Sequence, residues 1–320
     1  MKSSRTDGAR TLQATDAFER GATVGRRPLR VAQTSTASAF SGSDLDGRYA
    51  GGPIVERNGI SEPTFYDPNT HSIDSIPPIQ PRSGNPNGAT LYLTNGIDTP
   101  PWLSLDNAQR LADESGASVR MVYNARQNVA GDIVQSAVDL FGPAELNPAS
   151  RTLGNMIYHK LAANQRVHLV GESQGAIITR NALEIAGERL RKDGLSSEEV
   201  KARLGNVVVE TFNGAVPGPP ISAFPIPEPL KAALTLRRRG YPDGPTYIHY
   251  GNPRDEAVFA RMGVGQWGGA RFGGEDAVIR KVAYGRRLDP IDAHLFRGIV
   301  EHRVPWDQAV REGNVDIQVD

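Results

Sequence analysis

The chain has 320 residues, no cysteine, and 36 basic side chains against 36 acidic ones. Without thiols there are no disulfides, thiolate metal sites or cysteine nucleophiles, and a net charge of zero gives no general pull toward nucleic acid. No run approaches the roughly 18 apolar residues of a membrane span, and the first residues lack the apolar stretch of a Sec-type signal peptide, so a cytoplasmic protein, or one secreted by a non-Sec route, is expected.

Residues 1–85 read as a flexible, disordered extension. Residues 34–43 are small and polar, and residues 76–86 are rich in proline. Such composition buries too little apolar surface to offset chain entropy. A Ser- and Arg-rich start also suits an organelle leader or a host-delivered bacterial effector. Asp7, Asp16 and Glu19 weigh against the organelle version.

From residue 86 to 320 the texture is that of a folded domain. Residues 89–94 form a buried strand, and Ser104 is placed to cap a helix running to Ser115, with Leu105, Ala108, Leu111 and Ala112 on one face. A strand at 118–123, a helix at 129–141 and another at 148–163 follow. Residues 166–170 are a short strand running into Gly171, and 176–190 a helix. Ser196 caps a further helix with Glu198 and Glu199 in its first turn. Residues 207–212 are a strand rich in β-branched side chains. Residues 214–245, studded with prolines, lie between two strands. Val216, Ile221, Phe224, Ile226 and Leu230 there suit a cap or lid lining an apolar pocket, or a plain surface crossing. Strands at 246–250 and 277–284 and helices at 291–301 and 306–311 complete the pattern. Strands alternating with helices predict an α/β fold: a mostly parallel sheet with helices on both faces.

The residues that carry chemistry are Gly171-Glu172-Ser173-Gln174-Gly175. Gly-x-Ser-x-Gly is short and recurs by chance, but here a strand precedes it and a helix follows. That context stands the serine on a tight turn with its hydroxyl exposed at the sheet edge. The helix N-terminus behind it favours developing negative charge. The plainer alternative is a glycine-flanked turn with an ordinary serine.

On these residues the chain, over roughly 88–302, resembles the α/β-hydrolase superfamily among its lipases and esterases. Glu172 stands where many lipases of that group have His, so the motif does not choose between lipase and esterase. Residues 94–99 and Val122-Tyr123-Asn124 also resemble bacterial effector-type α/β-hydrolases. The resemblance implies an oxyanion hole, an acid and a base, in the chain order Ser, Asp or Glu, His. One oxyanion donor would be the Gln174 backbone N–H, the other the N–H of Gly96 or Ile97 in the Asn95-Gly96-Ile97 turn after the first strand. The acid is expected at Asp255, in the loop after the 246–250 strand, with Glu256 and Asp243 as rivals and a helix cap as its plainer role. The base is expected at His294, after the last strand, with His302 as rival and Asp289 or Asp292 as assistants.

The expected reaction is cleavage of a small-molecule or lipid ester through an acyl-enzyme, with no metal or organic cofactor. An acyltransferase or thioesterase using the same triad is the second reading, and a non-catalytic binding protein of this fold the third. Gly263–Gly274 reads as a surface loop. Leu236-Arg237-Arg238-Arg239 reads as a solvated helix end, with peripheral contact to anionic head groups as the alternative.

Overall fold

The computed structural model describes residues 42–96, 99–125, 144, 147–214, 242–252, 277–283, 296–313 and 315–318. Their frame is one sheet of nine strands: β1 (Tyr49–Arg57), β2 (Ile60–Tyr66), β3 (Thr90–Thr94), β4 (Ser118–Val122), β5 (Val167–Glu172), β6 (Val207–Phe212), β7 (Thr246–Gly251), β8 (Val278–Ala283) and β9 (Val315–Gln318). Their order is β2-β1-β4-β3-β5-β6-β7-β8-β9. β4, β3 and β5 through β9 pair in parallel, and β1 joins antiparallel to β4 and to β2.

The six α-helices among the described residues are α1 (Pro101–Ser115), α2 (Pro148–Ala162), α3 (Gln174–Lys192), α4 (Ser197–Leu204), α5 (Phe296–Val300) and α6 (Trp306–Glu312). Successive strand residues point to opposite faces, and this divides the core in two. Leu169, Val207, Val209 and Tyr247 meet Leu153, Ile157, Ile178, Leu183 and Leu204 of α2, α3 and α4. Val170, Phe212, Ile248 and Tyr250 meet Leu105 and Leu111 of α1, Phe296 and Ile299 of α5, and Ala309 of α6. The expected parallel sheet with helices on both faces is the fold.

Side-chain caps start two of these helices. The Asn147 side chain accepts the Ser150 N–H at 2.9 Å to start α2, and Ser196 with Glu199 forms a capping box on α4. α1 departs from expectation. It starts at Pro101 rather than behind Ser104, because proline is preorganised for the first helical position. Ser104 is inside the helix, its hydroxyl directed to Met121 Sδ at 3.3 Å.

The larger correction concerns the extension, of which residues 1–41 lie outside the described residues. Residues 42–85 are part of the fold. β1 and β2 form a hairpin on the sheet edge, and the proline-rich stretch is pinned by buried Ile76 and Ile79. The Ile79 N–H and C=O both bond to Val119, each at 2.8 Å. Prolines here straighten a segment that buries its isoleucines. The helix expected at 306–311 is α6, and the last described strand, β9, follows it where the sequence reading assigned no element. The helix expected at 129–141, the cap at 214–245 except its ends, and Gly263–Gly274 lie outside the described residues.

On the α1 face, a buried charge cluster ties the segment after α5 to the sheet. Arg303 meets the Glu210 carboxylate with Nε and Nη2, both at 2.7 Å, and His168 Nε2 lies 2.6 Å from it. Burial opposes the carboxylate's charge, but Arg303 and then His168 more than offset it, holding the pKa down from 4.5 to about 2. On the other face burial alone pushes His249 down from 6.5 to about 3. Both folded pKa values are depressed, so stability falls as pH falls. The loss should start below the unfolded histidine value of 6.5 and steepen between 4.5 and about 2 as Glu210 protonates. Arg303→Met leaves a buried carboxylate facing only a histidine and should cost about 3–5 kcal/mol at neutral pH. Urea midpoints at a series of pH values check both points; an Arg303→Met midpoint equal to wild type would refute the second.

Candidate active site

The carboxyl ends of β3, β5, β6 and β7 lie side by side, because these strands are parallel and in register. Thr94 pairs with Gly171, Glu172 with Phe212, and Phe212 with Tyr250. Ser173 follows β5 directly and is the N-cap of α3, with φ 51° and ψ −118°. A non-glycine residue held at such a φ costs about 1–3 kcal/mol, and such strain gathers at functional sites. The turn is braced by the Ser173 N–H donating to Phe212 O at 3.0 Å and by the Ala176 N–H donating to Ser173 O at 3.1 Å. Ser173 is 2% exposed.

Close approach explains the glycine at 175. A Cβ there would stand 2.1 Å from the Thr94 carbonyl oxygen and 2.8 Å from its carbon. β3 and the first turn of α3 therefore touch backbone to backbone. A strained serine thus stands on a tight strand-to-helix turn at the carboxyl end of a parallel strand.

The turn after β3 lies against Ser173. A Cβ on Gly96 would stand 2.8 Å from Ser173 Cβ and 3.5 Å from its Oγ. The Gly96 N–H, however, is donated to Glu172 Oε2 at 3.2 Å. The donor expected at Gly96 is thus committed to a buried carboxyl group. Ile97 lies outside the described residues. Gln174 is the first residue of α3.

Around this turn sits a buried polar network that sequence reading missed. The Asn95 side chain bridges to the Asn124 backbone, donating to its C=O at 2.8 Å and accepting its N–H at 2.9 Å. Asn124 Nδ2 donates to Gln174 Oε1 at 2.9 Å. The Gly96 carbonyl accepts from Asn95 Nδ2 at 3.0 Å and Thr99 Oγ1 at 3.2 Å. Glu172 Oε2 also accepts from Asn107 Nδ2 of α1 at 3.3 Å. The sequence marked the Asn95 turn and Val122-Tyr123-Asn124 separately, but not the hydrogen bonds that join Asn95 to Asn124.

Asp255 and His294, the expected acid and base, lie outside the described residues, as do Glu256, Asp289 and Asp292. The described residues on either side of them are anchored near the serine. The Asn252 N–H donates to Asn213 Oδ1 at 2.9 Å, and the Asn213 N–H to Tyr250 O at 2.8 Å. The Phe296 ring meets Phe212 edge-on, centroids 5.0 Å apart. Two other histidines are engaged elsewhere. His168 pairs with Glu210, and His249 Nδ1 lies 2.7 Å from Thr211 Oγ1, in a site that disfavours its cation. His302 lies in the turn after α5, its N–H bonded to Ile299 O at 3.1 Å. Among the described residues no helix is long and apolar enough to cross a membrane.

No family model and no curated protein matches the chain. Among solved structures, it is similar to a hormone-sensitive lipase from a metagenome library, at 12% identity and TM-score 0.30, over 83% of this chain and 73% of that one. It is also similar to a putative hydrolase of the α/β superfamily from Xanthomonas campestris pv. campestris, at 14% identity and TM-score 0.24, over 70% of this chain and 95% of that one. At these values neither likeness adds weight to what the chain's own geometry carries.

Proposed function

We propose that the chain is a serine ester hydrolase, of the esterase or lipase class, working through an acyl-enzyme. The strained Ser173 turn, at φ 51° between a parallel strand and a helix, is the observation that carries this reading. His294 takes the Ser173 proton as Oγ attacks the ester carbonyl, and returns it to the leaving alcohol. Asp255 orients the imidazole and stabilises its cation. Backbone N–H groups of Gln174 and Ile97 receive the oxyanion, Gly96 being bonded to Glu172. Water then attacks the acyl-enzyme and releases the acid.

Chain connectivity supports this acid and base. Asp255 comes three residues after Asn252, and His294 two before Phe296. An extended residue spans at most about 3.6 Å, so both are leashed to anchors beside the carboxyl ends of β6 and β7.

The test is stopped-flow hydrolysis of p-nitrophenyl esters, with added alcohols as competing acceptors. Wild type should show a burst and yield mainly free acid. His294→Ala should lose about 10⁴–10⁶-fold in kcat, and Asp255→Asn about 10⁴-fold. Predominant alcoholysis would move the assignment to acyl transfer. A fully active His294→Ala would refute the base.

A further inference from the structure

We propose that Glu172 is a positioning residue for acyl transfer: its carboxyl group fixes the Gly96 peptide over Ser173 and so sets the clearance in which the tetrahedral intermediate forms. This rests on the hydrolase reading above.

Glu172 is the last residue of β5, and its side chain is buried, 8% exposed, under the turn after β3. One carboxyl oxygen, Oε2, takes both the Gly96 N–H and Asn107 Nδ2, at 3.2 and 3.3 Å. It therefore joins the end of β5, the turn after β3, and α1. The Gly96 Cα sits so close above the nucleophile that an added Cβ would press on Ser173 Cβ at 2.8 Å. A shift of this peptide by a fraction of an ångström changes the space at Oγ directly.

The opposite side of the same peptide is held as well. The Gly96 carbonyl accepts from Asn95 and Thr99, and Asn124 links Asn95 to Gln174. The two residues flanking Ser173 are thus connected to each other through the Gly96 turn, Glu172 on the N–H side and Gln174 on the C=O side. Neither side chain needs to touch substrate. Catalytic constellations tolerate errors of only about 0.5 Å, and a displacement near 1 Å can cost about 100-fold in rate.

Two substitutions separate positioning from simple packing. In Glu172→Gln one amide oxygen can accept both N–H groups. Glu172→Met fills similar space and offers no comparable acceptor. With a short p-nitrophenyl ester, Glu172→Met should lose about 100-fold in kcat with KM nearly unchanged, and its fluorophosphonate labelling rate should fall in parallel. Glu172→Gln should recover to within about tenfold of wild type. Hydrogen exchange at the Gly96 amide should be slow in wild type and Glu172→Gln and fast in Glu172→Met. Should Glu172→Met fail to fold, Asn107→Leu, which removes the second donor to Oε2, should show the same kcat-selective loss at smaller size. A folded Glu172→Met with wild-type kcat and labelling rate overturns the proposal, as does a Glu172→Gln as impaired as Glu172→Met. A wild type that neither turns over esters nor takes the probe overturns the hydrolase reading itself, and this proposal with it.

Discussion

Ser173→Ala is expected to lower ester turnover by about 10⁴–10⁶-fold and to leave the protein folded. The substitution removes one atom, Oγ, and keeps the Cβ that packs under Gly96. Alanine at φ 51° bears the same kind of backbone strain as serine, so the elbow is no harder to form. Its braces are backbone bonds, from Ser173 to Phe212 and from Ala176 to Ser173, and the substitution touches neither. Loss of activity with an unchanged melting curve is therefore the expected pair of results. Residual turnover would come from the oxyanion donors acting on attacking water. Retention of more than a tenth of wild-type kcat would show that another group is the nucleophile.

Gly175→Ala is expected to have the largest effect on stability. The new methyl group would lie 2.1 Å from the Thr94 carbonyl oxygen and 3.1 Å from that of Asn95. Both obstacles are backbone, and β3 is held between β4 and β5 in the middle of the sheet. No side-chain rotation relieves such a contact. Either α3 lifts off the sheet or β3 shifts, and both open the core shared by Leu169, Ile178 and Leu183. Overpacking in a core commonly costs about 1–3 kcal/mol. A backbone-to-backbone collision should exceed that, and global stability is only about 5–15 kcal/mol. Urea unfolding, or soluble yield if folding fails, reads the effect. A midpoint equal to wild type would contradict the close approach of α3 and β3.

The elbow was legible in the sequence because everything it needs is local: a β-branched strand, glycines, serine and a helix within a short span. The α4 cap was legible for the same reason, with Ser196 and Glu199 three apart. The β1–β2 hairpin was not. Gly51, Gly52 and Pro53 interrupt β1, where its register shifts between Gly51 and Ile54. Their composition reads as loop until the partner strands β2 and β4 supply the pairing. The proline-rich stretch misled in the same way, since Ile76 and Ile79 find their pockets only in the assembled sheet. The Glu172–Gly96 bond joins residues 76 apart in sequence. Only the parallel register of β3 and β5 brings them together. From the sequence, Glu172 stood out solely as the residue before the serine. Chain order and loop position proposed Asp255 and His294, which lie outside the described residues.

The most direct test of the central claim is labelling of purified wild type with a fluorophosphonate probe, beside Ser173→Ala and His294→Ala, with the modified peptide identified by mass spectrometry. An activated serine predicts a single adduct on Ser173 in wild type and none in either variant. A folded wild type that stays unlabelled and turns over neither short nor long esters would contradict the account and leave a non-catalytic binding protein.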